Sequence, residues 1–320
     1  MTTSFTRRTV IAGALVIGVS LTATTLALAS TETGPSTKRT APTADAGTTR
    51  LQWGAVALTA QQYPAMKEFA QKALGLNLVN SSEEFSVFTT PNGNLFELYG
   101  PKAPQYPWRT SPTSTAIGFD STDLDAAEKA LQANGAKWAS TVQVVPGAGA
   151  GGSDYRFRLF RAPDNRVYAI AQSGTDPRKP VSDEDTGAAG INKLQWGAVA
   201  LTAEQYPTMK KLAATGLGLT PLNEAKQFSV FGTENGNLFE LYGPKAPQYP
   251  WRTSPTSIAF GFNTTNLDKA MTQLQNNGAE WVSTVQVVPH AGAGGSDYRF
   301  RLFRAPDNRV YAISQSNATS

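Results

Sequence analysis

The sequence predicts an α+β protein of two tandem domains, each a pair of βαβββ modules forming a partly open, cup-shaped mixed sheet. Residues 51–173 match residues 194–316 without a single insertion, and 93 of the 123 aligned positions are identical. A period this long means duplicated domains rather than a solenoid. Within each copy, short alternating segments are interleaved with segments of helical period. Hydrophobic residues are 40% and charged residues 16% of the 320-residue chain, enough to bury a core and too apolar for wholesale disorder.

The elements follow in order. Trp53–Thr59 alternates, with Val56 and Leu58 on one face and Trp53, Ala55 and Ala57 on the other, as in a strand. Pro64 stands where a helix tolerates proline, in the first turn. Met66, Phe69, Ala70, Ala73 and Leu74 then recur at helical spacing up to Gly75, a C-terminal stop. Phe85–Phe88 and Leu95–Tyr99 flank Asn92-Gly93, a hairpin signal. Ala116–Phe119 reads as a strand. Thr122-x-x-Asp125 has the form of a capping box opening a helix with Leu124, Ala127 and Leu131 inward, closed by Gly135. Tyr155–Phe160 and Val167–Ile170 pair around Pro163-Asp164-Asn165. The second copy repeats the scheme.

Outside the repeats, Arg7-Arg8 precedes an apolar run from Val10 to about Leu28, with a small-residue cleavage site near Ala29. Residues 1–29 therefore read as an export signal of twin-arginine or general secretory type, which places the mature protein outside the cell and leaves no membrane segment after cleavage. Residues 30–50 read as a flexible tether and 174–193 as a linker between domain 1 (51–173) and domain 2 (194–316). The expected state is a monomer with two pseudo-symmetric domains. Without Arg7 and Arg8 the chain has 26 basic and 24 acidic residues, well short of a nucleic-acid footprint. The absence of cysteine excludes disulfides, thiolate metal sites, a Cys nucleophile and a lipoprotein anchor. The single histidine, His290, excludes any histidine chemistry shared by both copies.

Several segments resemble the vicinal oxygen chelate superfamily, the glyoxalase/bleomycin-resistance/dioxygenase group. Phe69-Ala-Gln-Lys-Ala-Leu-Gly75-Leu looks like its first-helix signature, and Asn92-Gly-Asn-Leu-Phe-Glu97-Leu-Tyr like its strand-four signature. Ala116-Ile-Gly-Phe119, Asp123-Leu-Asp125 and Ala162-Pro-Asp-Asn-Arg-Val167 look like the matching elements of a second module. The resemblance implies a metal held by His or Glu at the first and fourth strands of each module. Here those positions carry Ala55, Glu97, Ala116 and Ala169, and in the second copy Ala198, Glu240, Ala259 and Ala312. One carboxylate and three methyl groups cannot hold a divalent ion against water, because stable sites need three or more protein ligands. The expectation is no metal and no other cofactor.

Glu97 and Glu240 stand as lone carboxylates on apolar strands. Each is either a hydrogen-bond acceptor or general base inside the cup, with a pKa raised by burial, or half of a structural ion pair. Tyr155-Arg-Phe-Arg-Leu-Phe160 is striped. Arg156 and Arg158, with Arg299 and Arg301, either face the cup and grip a ligand or form the solvated side of an ordinary strand. The proline-rich segment from Tyr99 to Arg109 joins the modules, and its Tyr106 and Trp108 either stack on a flat ligand or staple the crossover to the core. Trp53 and Trp138 carry the same choice. The Gly-rich stretch Pro146–Ser153 lacks the ending of a phosphate loop and reads as a mobile loop over the cup.

The expected function is a secreted, metal-independent binder that sequesters a small organic ligand, aromatic or amphiphilic. Trp53, Glu97, Tyr99, Trp108, Arg156 and Arg158 surround the ligand, with Trp196, Glu240, Tyr242, Trp251, Arg299 and Arg301 in the second copy. The rivals are a lyase or isomerase using Glu97 and Glu240 as bases, and an extracellular interaction module contacting protein or cell wall through Trp108 and Trp251.

Overall fold

The computed structural model describes residues 49–110, 114–149, 152–174, 190–225, 227–253, 257–291 and 295–316. The signal segment, nearly all of the tether and most of the linker lie outside them. No helix among the described residues is long and apolar enough to cross a membrane.

Module 1 comprises β1 (Thr49–Ala57), α1 (Gln62–Lys72), β2 (Asn77–Ser82), β3 (Phe85–Thr89) and β4 (Leu95–Tyr99). Module 2 comprises β5 (Thr115–Ser121), α2 (Leu124–Ala133), β6 (Lys137–Trp138), β7 (Gln143–Val145), β8 (Tyr155–Arg161) and β9 (Val167–Gln172). Module 3 repeats module 1 as β10 (Ile191–Ala200), α3 (Gln205–Lys211), β11 (Thr220–Ala225), β12 (Phe228–Gly232) and β13 (Leu238–Tyr242). Module 4 repeats module 2 as β14 (Ile258–Thr264), α4 (Leu267–Asn276), β15 (Glu280–Trp281), β16 (Gln286–Val288), β17 (Tyr298–Arg304) and β18 (Val310–Ser316).

These strands form two mixed sheets, and each sheet takes one module from each copy. The first runs β15-β17-β18-β14-β1-β4-β3-β2, with β16 on β17, and so joins module 1 to module 4. The second runs β11-β12-β13-β10-β5-β9-β8-β6, with β7 on β8, and joins module 3 to module 2. The seams are antiparallel ladders, β1 on β14 and β10 on β5, in which Ala55 faces Ala259 and Ala198 faces Ala116. The paired-module architecture is the expected one, but a cup confined to one copy is not what forms. The two copies are so alike that module 2 and module 4 offer nearly the same edge strand, and the fold uses the distant one.

The local reading needs smaller corrections. Helix α2 is capped by Asp123, whose carboxylate accepts from the Ala126 N–H at 3.0 Å, so Thr122 lies one residue outside the cap. Asn266 caps α4 in the same way. The short strands β2, β6 and β7 have no clear period in the sequence, because each lies at or off a sheet edge with partly exposed residues.

Both faces of each sheet are covered. The helices pack on one face over a shared core that includes Leu51, Val56, Phe69, Phe96, Phe119 and Leu131 with their second-copy counterparts. The other face curls into a cup with its own aromatic cluster.

Candidate functional site

Each cup is built from the middle outward. At its floor the parallel register sets Ala55 beside Glu97 and Ala198 beside Glu240. The antiparallel seam brings Ala259 to Ala55 and Ala116 to Ala198, and β18 and β9 add Ala312 and Ala169. The four positions that would ligate a metal therefore do converge, but regrouped across the copies. One cup holds Ala55, Glu97, Ala259 and Ala312, and the other Ala198, Glu240, Ala116 and Ala169. Each set offers one carboxyl and three methyl groups, and among the described residues no group of three His, Cys, Asp or Glu side chains could hold a metal. This donor set does not fit a divalent ion.

Glu97 and Glu240 are buried, 9% and 7% exposed, and neither is paired with a cationic side chain among the described residues. Burial pushes each carboxyl up to about 7, opposed only by a hydrogen bond from the tyrosine two residues on. Tyr99 donates to Glu97 and Tyr242 to Glu240, each at 2.9 Å. The ion-pair reading of these carboxyls is thereby excluded.

Aromatic rings surround the carboxyl. The Tyr242 ring packs on Phe228 at 4.7 Å, on Trp251 at 5.1 Å and on Tyr249 at 6.0 Å. Phe157 bridges Tyr249 and Tyr155 across the seam, at 6.1 and 5.7 Å. The Trp196 indole hydrogen-bonds Tyr155 and lies on Gly118, where a Cβ would overlap the ring. The other cup repeats the set with Tyr99, Phe85, Trp108, Tyr106, Phe300 and Tyr298, and its Trp53 lies on Gly261. Together with Val145, Leu159, Asn223 and Pro247, the rings around Glu240 enclose a cavity of about 260 Å³.

Of the residues expected at the site, Trp53, Glu97, Tyr99 and Trp108 meet in one cup and Trp196, Glu240, Tyr242 and Trp251 in the other. Trp108 and Trp251 are 2% and 1% exposed, in 3-10 turns, so they staple the crossover and are not available to an extended surface partner. Arg109 and Arg252 fasten that crossover by donating to its carbonyls.

The arginines expected at the site are not there. The pleat turns Tyr155, Phe157 and Leu159 into the cup, which sends Arg156 and Arg158 to the helix side. Arg156 reaches Asp125, and Arg158 pairs with Glu128 at 2.9 Å while lying 4.0 Å from the Trp138 ring. Arg299 reaches Asp268, and Arg301 lies over Trp281 at 4.3 Å. The tyrosines and phenylalanines of the same stripe are the site residues that the sequence reading left out, and their alternation was the signal. In the Gly-rich stretch, residues 150 and 151 lie outside the described set, but Ala148 packs in the cup's aromatic cluster.

The fold is that of the vicinal oxygen chelate group, two-module cupped sheets in tandem. No family model matches the chain, and no curated protein matches its sequence significantly. Among solved structures, it is similar to a mutant of glyoxalase I from Zea mays, with TM-score 0.58 and 12% identity over 84% of this chain and 92% of that one. It is also similar to a protein described as a putative dioxygenase from Bacillus subtilis, with TM-score 0.57 and 13% identity over 84% and 86% of the two chains. At these identities the likeness is one of fold.

Proposed function

We propose that the protein is an exported, metal-independent binder that sequesters a small organic molecule in each of two equivalent cups. The observation that carries this is where the two copies agree. All twelve residues lining the cavity around Glu240 have an identical residue at the corresponding position of the other copy. Asn223 is the most telling of them. Across residues 77–84 and 220–227, only Asn80 and Asn223 are the same. A bulge precedes each of them on its edge strand, a device that re-aims a side chain. Differences collect instead in residues 61–91 and 115–139, at positions of the helices, the edge strand and the seam strand that do not line the cavity. Apolar walls with few polar groups suit a small ligand.

Native mass spectrometry of the mature protein from its own culture medium tests the proposal. A mass excess matching one or two copies of an organic compound supports it. A stoichiometric divalent ion overturns the metal-independent part.

A second reading has its own support. A carboxyl with a pKa of about 7 is matched to general-base work near neutrality, and tyrosine hydroxyls surround it. Metal-free turnover of a carbonyl substrate, lost in an E97Q/E240Q double variant, would make the protein a lyase or isomerase.

A further inference from the structure

We propose that the ligand of each cup is a small organic cation, an ammonium carried on a hydrophobic group, with Glu97 or Glu240 as its counter-charge. This rests on the binding reading above and names the chemical class that fits.

The cavity around Glu240 is lined by no lysine, arginine or histidine. The four arginines that could have received an anion lie on the opposite face of their strands, engaged with Asp125, Glu128, Asp268 and Trp281. Of the hydroxyl donors that could have replaced them, the one nearest the carboxyl is already committed. Tyr242 donates to Glu240, and Tyr155 accepts from the Trp196 indole N–H. An anion would therefore enter a buried space beside a carboxyl with no cationic side chain in the lining to receive it, and like charges at such distances repel.

A cation meets the opposite conditions. Trp196, Tyr155, Tyr242, Tyr249 and Phe228 line the space. Aromatic faces attract ammonium groups, more strongly where water is displaced. The carboxyl becomes fully ionised when a cation sits beside it, which removes the mismatch of a group left half-protonated near neutral pH. A volume of about 260 Å³ admits one ring and one ammonium head.

The other groups facing the carboxyl stay neutral across the working range. Tyr242 on β13 and Tyr155 on β8 are held well above the usual tyrosine range, and Tyr249 on the crossover is raised as well, each chiefly by burial. Arg252 lies 5.9 Å from the Tyr242 ring centre, with its donors on the carbonyls of Gly243, Ala246 and Pro247. Glu240 is thus the lining group that titrates near pH 7.

Three probes sharing one ring decide the matter by calorimetry on the mature protein: (2-phenylethyl)trimethylammonium, 2-phenylethanol and 3-phenylpropanoate. The cation is expected to bind at least about tenfold more tightly than the alcohol, with the carboxylate weakest. The E97Q/E240Q double variant is expected to lose that preference. If the variant does not fold, the wild type still answers, because the cation-over-alcohol preference must grow between pH 6 and pH 8. Equal or tighter binding of the alcohol or the carboxylate overturns the cation assignment and leaves the binding reading standing. Binding of none of the three overturns the cation assignment, and native mass spectrometry without a bound compound would then overturn the binding reading too.

Discussion

Asn94 and Asn237, equivalent residues of the two copies, are hydrogen-bonded to each other: the Asn237 amide donates to the Asn94 Oδ1 at 3.0 Å, and both amides also donate to the Leu51 carbonyl at 3.0 Å. A residue that meets its own counterpart lies at the pseudo-twofold axis. Both asparagines end the Asn-Gly-Asn segment that is the same in the hairpin turn of each copy. The axis therefore passes between copies, in keeping with sheets that each combine half of one copy with half of the other.

It follows that one copy on its own lacks its seam partner. A fragment of residues 190–320 would expose β10 and β14, which pair with β5 and β1 in the whole chain. Such a fragment is expected to form a dimer in which each copy supplies the module that the other needs. Light scattering after size-exclusion chromatography reads this directly. A stable, folded monomer would show that modules 3 and 4 can pair within the copy.

Gly118 and Gly261 lie under the Trp196 and Trp53 rings, where a Cβ has no room. Gly118→Ala and Gly261→Ala should each cost about 1–3 kcal/mol through overpacking, read from urea unfolding. Because the indole forms the cup wall, each change should also weaken ligand binding in one cup only. An unchanged unfolding midpoint would mean that the indole can lift away.

The buried carboxyls make stability depend on pH with a definite sign. The folded pKa of Glu97 and Glu240, about 7, lies above the ordinary value of 4.5, so the folded state binds more protons between those limits. Their contribution is fully present below about pH 4.5 and is lost as pH rises through 7, by roughly 3 kcal/mol for each carboxyl. The E97Q/E240Q variant should therefore have a flatter stability profile from pH 5 to 8 and gain on the wild type at pH 8. Parallel profiles for the two proteins would mean that neither carboxyl is protonated in the folded state at pH 6.

Arg158 and Arg301 offer an internal comparison. Arg158 has both Trp138 and the partly buried Glu128, whereas Met271 stands in place of the acid beside Arg301. Arg158→Met is expected to cost about 1 kcal/mol and Arg301→Met less than about 0.5 kcal/mol. Neither should change ligand affinity, since both residues face the helices. A loss of affinity in either would place a guanidinium in the binding path.

The sequence by itself determined the longer helices and strands and their order. Helical spacing from Met66 to Leu74, the Asn92-Gly93 turn and the alternation in Tyr155–Phe160 are local patterns, and local patterns decide local structure. It also determined that three of the four ligand positions carry only a methyl group. Tertiary structure alone decided which modules share a sheet, because near-identical copies present near-identical edges and no local pattern distinguishes a partner in the same copy from one in the other. It alone decided where the arginines point. Alternation divides a strand into two faces, but here helices cover one and the cup the other, so only the packing of α2 and α4 shows which face is inside. The burial that lifts Glu97 and Glu240 to about 7 likewise arises from rings brought in from both copies, at distances no spacing along the chain encodes.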